Sequence, residues 1–156
     1  MKRLISATAL AVASTVLAAA PAHADTVSKV NCDGSDGSGL TATEYIGMLL
    51  IKPCVHVEFD RTAKRGTAKG FSRPKPGQGA VTQLALFRRP CGGSWARVAY
   101  APDADGWFGG GKRDVAQTSA AQGSGRVQWY ASGKFSTRVN GTIVAKRLKT
   151  GVVGAC

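Results

Sequence analysis

Apart from His23, the chain has one histidine, and it stands in a run with two acids, Cys54-Val55-His56-Val57-Glu58-Phe59-Asp60. In a strand, spacing by two puts His56, Glu58 and Asp60 on one face and Val55, Val57 and Phe59 on the other. A general acid and base on one face near arginines is the equipment of a ribonuclease. One group takes the proton of the 2′-hydroxyl, another protonates the leaving oxygen, and cations stabilise the phosphorane. A basic chain also suits an RNA substrate. The same alternation, however, describes any strand with one wet face, and no other stretch carries a ribonuclease motif. An enzyme using His56 and Glu58 is therefore the alternative rather than the expectation.

Other chemistries find less support. No G-x-S-x-G elbow accompanies the serines, and no phosphate-binding glycine loop runs from a strand into a helix. The closest two cysteines, Cys32 and Cys54, are 22 residues apart, too far for the short Cys-x-x-Cys spacing of a zinc site. Asp33-Gly34-Ser35-Asp36 lacks the third acid and closing glutamate of a calcium loop. No cofactor and no metal are expected. Arg88-Arg89-Pro90-Cys91 raises a second alternative, a protease inhibitor offering an arginine on a rigid loop. Trp95, Trp107, Trp129 and Tyr130 lie close in sequence to Arg97, Lys112, Arg113 and Arg126, the mixture that single-stranded nucleic acid requires. Most of these aromatics are expected in the core, and an exported chain meets little nucleic acid, so nucleic acid is not the expected partner.

Export is read from the N-terminus. Lys2 and Arg3, the apolar run Leu4 to Ala20 and Ala22-His23-Ala24 form the three parts of a signal peptide over residues 1–24. No second long apolar run follows, so no membrane span is expected after processing, and the expected location is extracellular. All four cysteines, Cys32, Cys54, Cys91 and Cys156, lie beyond the leader, which reads as two disulfides. Three pairings are open. Cys32–Cys54 with Cys91–Cys156 is preferred, because each bridge then closes a loop within one half of the chain.

Without Lys2 and Arg3, 19 of the 21 basic residues remain against nine acids, a net charge of +10. Its distribution is lopsided. Residues 25–60 carry six acids against Lys29 and Lys52, whereas residues 61–156 carry 17 cations against Asp103, Asp105 and Asp114. Such a field steers acidic partners.

Residues 25–39 read as a flexible tail and linker, with Thr26-Val27-Ser28-Lys29-Val30 weakly strand-like and Asp33 to Gly39 a Gly/Ser joint. Residues 40–156 read as one β-domain. Leu40 to Ile51 is ambiguous: Thr41-Ala42-Thr43-Glu44 matches a capping box, Gly47 opposes a helix, and a buried strand is preferred. Arg61 to Gly79 reads as a long loop carrying Arg61, Lys64, Arg65, Lys69, Arg73 and Lys75 and no acid, with a hairpin bend near Gly66. Strands are expected at Ala80 to Arg89, Ser94 to Tyr100, Arg126 to Ala131, Phe135 to Val139 and Thr142 to Leu148, with turns at Pro90 to Gly93 and Ser132-Gly133. Asn140-Gly141 is the strongest hairpin signal, supplying the positive φ of a type I′ turn. About eight short strands spaced roughly ten residues apart indicate an all-β protein, an antiparallel β-sandwich or small barrel.

The stretch Cys91-Gly92-Gly93-Ser94-Trp95-Ala96-Arg97-Val98 resembles the C-x-x-x-W-A-R-V block of a family of small secreted actinobacterial proteins of unknown function. Cys32 to Asp36 resembles the C-x-G-x-D run of the same family, and the similarity covers about a third of the chain beyond the leader. As a whole, a Gly/Ala/Arg-rich exported chain with a strand-like N-terminal tail and a compact β-domain is similar to the small adaptor subunit of the umbrella toxin particles of Streptomyces. That resemblance implies no catalysis. It implies an adaptor that joins other secreted proteins, partly through its extended N-terminus. The expected function is thus a secreted, non-catalytic binding module in a hetero-complex. Thr26, Val27, Ser28, Lys29 and Val30 would meet the partner's sheet edge, and the cations from Arg61 to Lys75 would attract it.

Overall fold

The computed structural model describes residues 25–32, 40–103, 106–107 and 113–156. The expected signal peptide, the Gly/Ser joint over 33–39, Asp105 and Lys112 lie outside these residues. Among the described residues, nine strands and one helix follow in the order β1 (Thr26–Asn31), α1 (Ala42–Ile51), β2 (Cys54–Asp60), β3 (Arg65–Ser72), β4 (Ala80–Pro90), β5 (Ala96–Ala101), β6 (Asp114–Gln117), β7 (Ala121–Gln122), β8 (Val127–Val139) and β9 (Thr142–Lys149). They form two antiparallel sheets. The first has the order β1-β2-β3-β6, with β7 also paired to β3; the second has the order β5-β4-β8-β9. The architecture is the sandwich rather than the barrel. No described helix is long and apolar enough to cross a membrane.

The core lies between the sheets. Val55, Val57 and Phe59 of β2 and Ala68 of β3 meet Leu84 and Leu86 of β4, Trp129, Ala131 and Phe135 of β8 and Leu148 of β9. Trp129 is wholly buried and packs its ring 5.9 Å from that of Phe59. Glycines make room for it: a Cβ on Gly66 would stand 2.5 Å from Trp129 Cε3, and one on Gly123 2.9 Å from its Cζ2. A polar tie also crosses the gap, where the buried Asp114 carboxylate accepts hydrogen bonds from the Ser72 and Thr82 hydroxyls. Both disulfides pair as preferred, Cys32–Cys54 and Cys91–Cys156.

Four local expectations are corrected. Residues 42–51 form a helix, not a strand. Thr41 Oγ1 accepts from the Glu44 N–H while Glu44 accepts from the Thr41 N–H, and Lys52 ends the helix in the left-handed region. Gly47 does not break α1 because it is the point of closest approach to β8 and β9; a Cβ there would lie 3.3 Å from Thr137 and Val144 methyls. Nor is the segment buried throughout, since Met48 and Ile51 face inward while Tyr45, Ile46 and Leu49 are about half exposed.

The long basic loop is interrupted by β3, which follows a turn at residues 61–64. Gly66, Ala68, Gly70 and Ser72 alternate inward as small residues against the second sheet, a period hidden by the cations between them. Residues 73–79 beyond β3 are irregular, and there the Arg73 and Lys75 N–H groups donate to the carbonyls of Ile51 and Leu50 at the end of α1. Ser132-Gly133 does not turn the chain. β8 runs through it, and Gly133 is needed because a Cβ would stand 2.6 Å from Phe135 Cε2. Finally, Thr26–Asn31 is not a free tail. It pairs along β2 from Thr26↔Asp60 to Asn31↔Val55, and Cys32 is bonded to Cys54 beside it.

Candidate binding surfaces

β2 brings the expected acid–base pair together. His56, Glu58 and Asp60 lie on the outer face of the first sheet, with His56 Nδ1 3.5 Å from Glu58 Oε1. Opposite them on β3 stand Lys69, Thr67 and Arg65. The pair sits on the face of a sheet, with its two members directed at each other.

The six cations from Arg61 to Lys75 are spread along the length of β3. Arg61 and Lys64 belong to the β2–β3 turn, Arg65 and Lys69 to β3, and Arg73 and Lys75 to the loop beyond its far end. Eight strand residues at about 3.3 Å each separate the first pair from the last. Arg61 is paired with Asp25 at 3.3 Å, and Arg65 donates through Nε to Gln122.

β1 is an edge strand. Arg61 N–H donates to the Asp25 carbonyl at 2.9 Å, which makes that pair a hydrogen-bonded one in the register of β1 on β2. Alternation along an antiparallel ladder then turns the N–H and C=O groups of Thr26, Ser28 and Val30 away from β2. Among the described residues no strand pairs with β1 on that side. Val30 is 60% exposed there.

The arginines of the Phe87–Tyr100 hairpin each lie over a different ring. Arg89 lies over Trp95 at 4.6 Å, Arg97 over Tyr100 at 5.2 Å, and Arg88 turns inward over Trp129 at 5.9 Å, donating to the Gln122 carbonyl. Strand alternation separates Arg88 from Arg89, and a bulge between Leu86 and Phe87 resets β5. Arg88, Arg89 and Pro90 are paired within β4 to Trp129, Gln128 and Val127. They are thus not on the exposed loop that a protease inhibitor would present.

The outer face of the second sheet carries what sequence reading missed. Phe87 and Tyr130 stack at 4.7 Å and 5°, and Trp95 meets Tyr130 at 4.6 Å and 79°. Arg89 Nε donates to Gln128 Oε1 at 2.8 Å. Burial pushes the Tyr130 hydroxyl pKa up, opposed by the charge of Arg147. Of the tryptophans, only Trp129 is core; Trp95 is half-buried, and Trp107 is 42% exposed with Arg138 stacked on it at 4.8 Å. A period-two reading of Phe87 with Arg89, and of Gln128 with Tyr130, places these side chains on one face, but their cross-strand partners follow only from the register. Comparison with known proteins found no matching family model, no matching curated protein and no matching solved structure.

Proposed function

We propose that the protein is a secreted, non-catalytic binding module that serves as an adaptor between other extracellular proteins. The observation that carries this reading is the open edge of β1. Its outward backbone groups at Thr26, Ser28 and Val30 suit the addition of a partner's strand. The role expected for an N-terminal tail thus passes to an edge strand already held in register. Lys29 restrains promiscuity, since a charged edge residue disfavours pairing with a second copy of β1. Two disulfides fit an exported chain.

Ser28→Pro tests the reading. Proline there removes an outward N–H but none that bonds β2. Proteins co-purified from culture supernatant should be lost with Ser28→Pro at an unchanged melting temperature. A partner retained by that variant ends the edge reading. The alternative rests on the 3.5 Å approach of His56 and Glu58. RNA turnover by the wild type, abolished in His56→Ala, would replace binding with catalysis.

A further inference from the structure

We propose that the outer face of the β5-β4-β8-β9 sheet is a docking site for an acidic peptide segment of a partner protein, gripped by the ring-stacked guanidiniums of Arg89 and Arg97. The inference deepens the binding reading but does not depend on β1.

Its first support is charge. The four strands place six cations on this face, Arg89, Arg97, Lys134, Arg138, Arg147 and Lys149, with Arg88 and Lys146 on the inner side, and hold no Asp or Glu. The His56–Glu58 and Arg61–Asp25 ion pairs both belong to the other sheet and its turn. A face of this kind attracts carboxylates and lacks them within its own strands.

The second support is preorganisation. A guanidinium laid on an aromatic face is held flat, so part of its rotamer entropy is already lost before binding. Arg89 is fixed twice, by Trp95 beneath it and by Gln128 at its Nε. The remaining edge of a planar guanidinium matches a carboxylate in a bidentate pair.

The third support separates a peptide from other polyanions. Single-stranded nucleic acid needs open ring faces for its bases. Here Phe87 and Tyr130 cover each other, Trp95 lies edge-on to Tyr130 and beneath Arg89, and the two more exposed rings, Tyr100 and Trp107, each carry a guanidinium, of Arg97 and Arg138, over one face. A sulfated polysaccharide could set only the C–H faces of its sugars against rings, and these ring faces are largely covered. A peptide that alternates acidic with apolar or aromatic side chains offers both, at the two-residue spacing of an extended chain.

The experiment is titration of the intact protein with a random glutamate–tyrosine copolymer, with poly-glutamate, heparin and oligo-deoxythymidine as the other arms, read by anisotropy. The copolymer should bind tightest. Arg89→Gln with Arg97→Gln should weaken it at least tenfold, and so should the charge-conserving Arg89→Lys with Arg97→Lys. Arg65→Gln with Lys69→Gln, which removes the same charge from the first sheet, should change it less than threefold. Arg97→Gln alone, at an exposed residue, gives the same sign of effect if the double variant does not fold. Tighter binding of heparin or oligo-deoxythymidine overturns the proposal. Equal loss from both sheets, or full affinity in the lysine variant, also overturns it. Ser28→Pro should leave copolymer binding intact, so failure here and failure at the β1 edge are separately visible.

Discussion

Replacing Gly66 by alanine puts a methyl group where the Trp129 ring already is. The added Cβ would stand 2.5, 2.7 and 2.8 Å from Cε3, Cδ2 and Cζ3, against about 3.5–4.0 Å for unstrained carbon contacts. One side or the other must move by about 1 Å. Trp129 has little freedom to do so, since it is wholly buried against Phe59 and borders Gly123 on another side. Overpacking of this kind costs about 1–3 kcal/mol. Alanine also lowers the entropy of the unfolded chain, a gain of roughly 0.4–1 kcal/mol wherever the site accepts it. Gly151→Ala supplies that term alone, since its nearest neighbours, Lys29 Cγ and Cδ, lie at 3.7 Å. The difference between the two variants therefore isolates the clash. With an unfolding entropy of about 2.1 cal/mol/K per residue over some 130 residues, it should separate their melting temperatures by about 4–11 °C. Calorimetry under oxidising conditions measures it. Trp129→Phe should partly rescue Gly66→Ala, the more so because the indole N–H is buried with no acceptor among the described residues. Equal melting temperatures for Gly66→Ala and Gly151→Ala would refute the cradle.

The two disulfides should be unequal. Cys91–Cys156 spans 65 residues and Cys32–Cys54 spans 22, so paired alanine replacements should cost about 4 and about 3 kcal/mol on the chain-entropy scale; denaturant titration showing the reverse order contradicts this. The Glu44 carboxyl is held below its ordinary pKa first by the Thr41 N–H and then by the Thr41 hydroxyl. Its contribution to α1 is therefore present above the unfolded pKa and lost as pH falls through the lowered folded one. Thr41→Ala should raise the Glu44 pKa toward the ordinary value while the backbone bond keeps it somewhat low. A carbon-detected NMR titration with no change on substitution would remove the hydroxyl from the cap.

Strands whose two faces differ were legible in the sequence. β2 alternates Val55, Val57 and Phe59 with polar partners and lies as expected. Asn140 and Gly141 adopt φ of 49° and 81° and join β8 to β9. The misread segments are those where tertiary contact overrides a local signal. Gly47 and Gly133 look like breaks but serve close approach, and Gly66 and Gly70 make β3 resemble a loop because Trp129 and Leu84 fill the space their side chains would occupy. The proposed docking face was half legible for the same reason. The composition of the Phe87–Tyr100 hairpin announced cations near rings, but Tyr130 and Gln128 reach them from a strand some 30 to 40 residues away, through pairing that no local pattern encodes.

The outer face of the first sheet sets Glu58 and Asp60 against Arg65 and Lys69, while the strands of the second carry cations alone. The molecule consequently has an electrical front and back. Laid on any negatively charged support, copies should settle the same way up, with the nearly neutral side and its unpaired β1 margin turned outward. Gripping with one side while leaving the opposite side accessible to a second body is the posture that a bridging component requires.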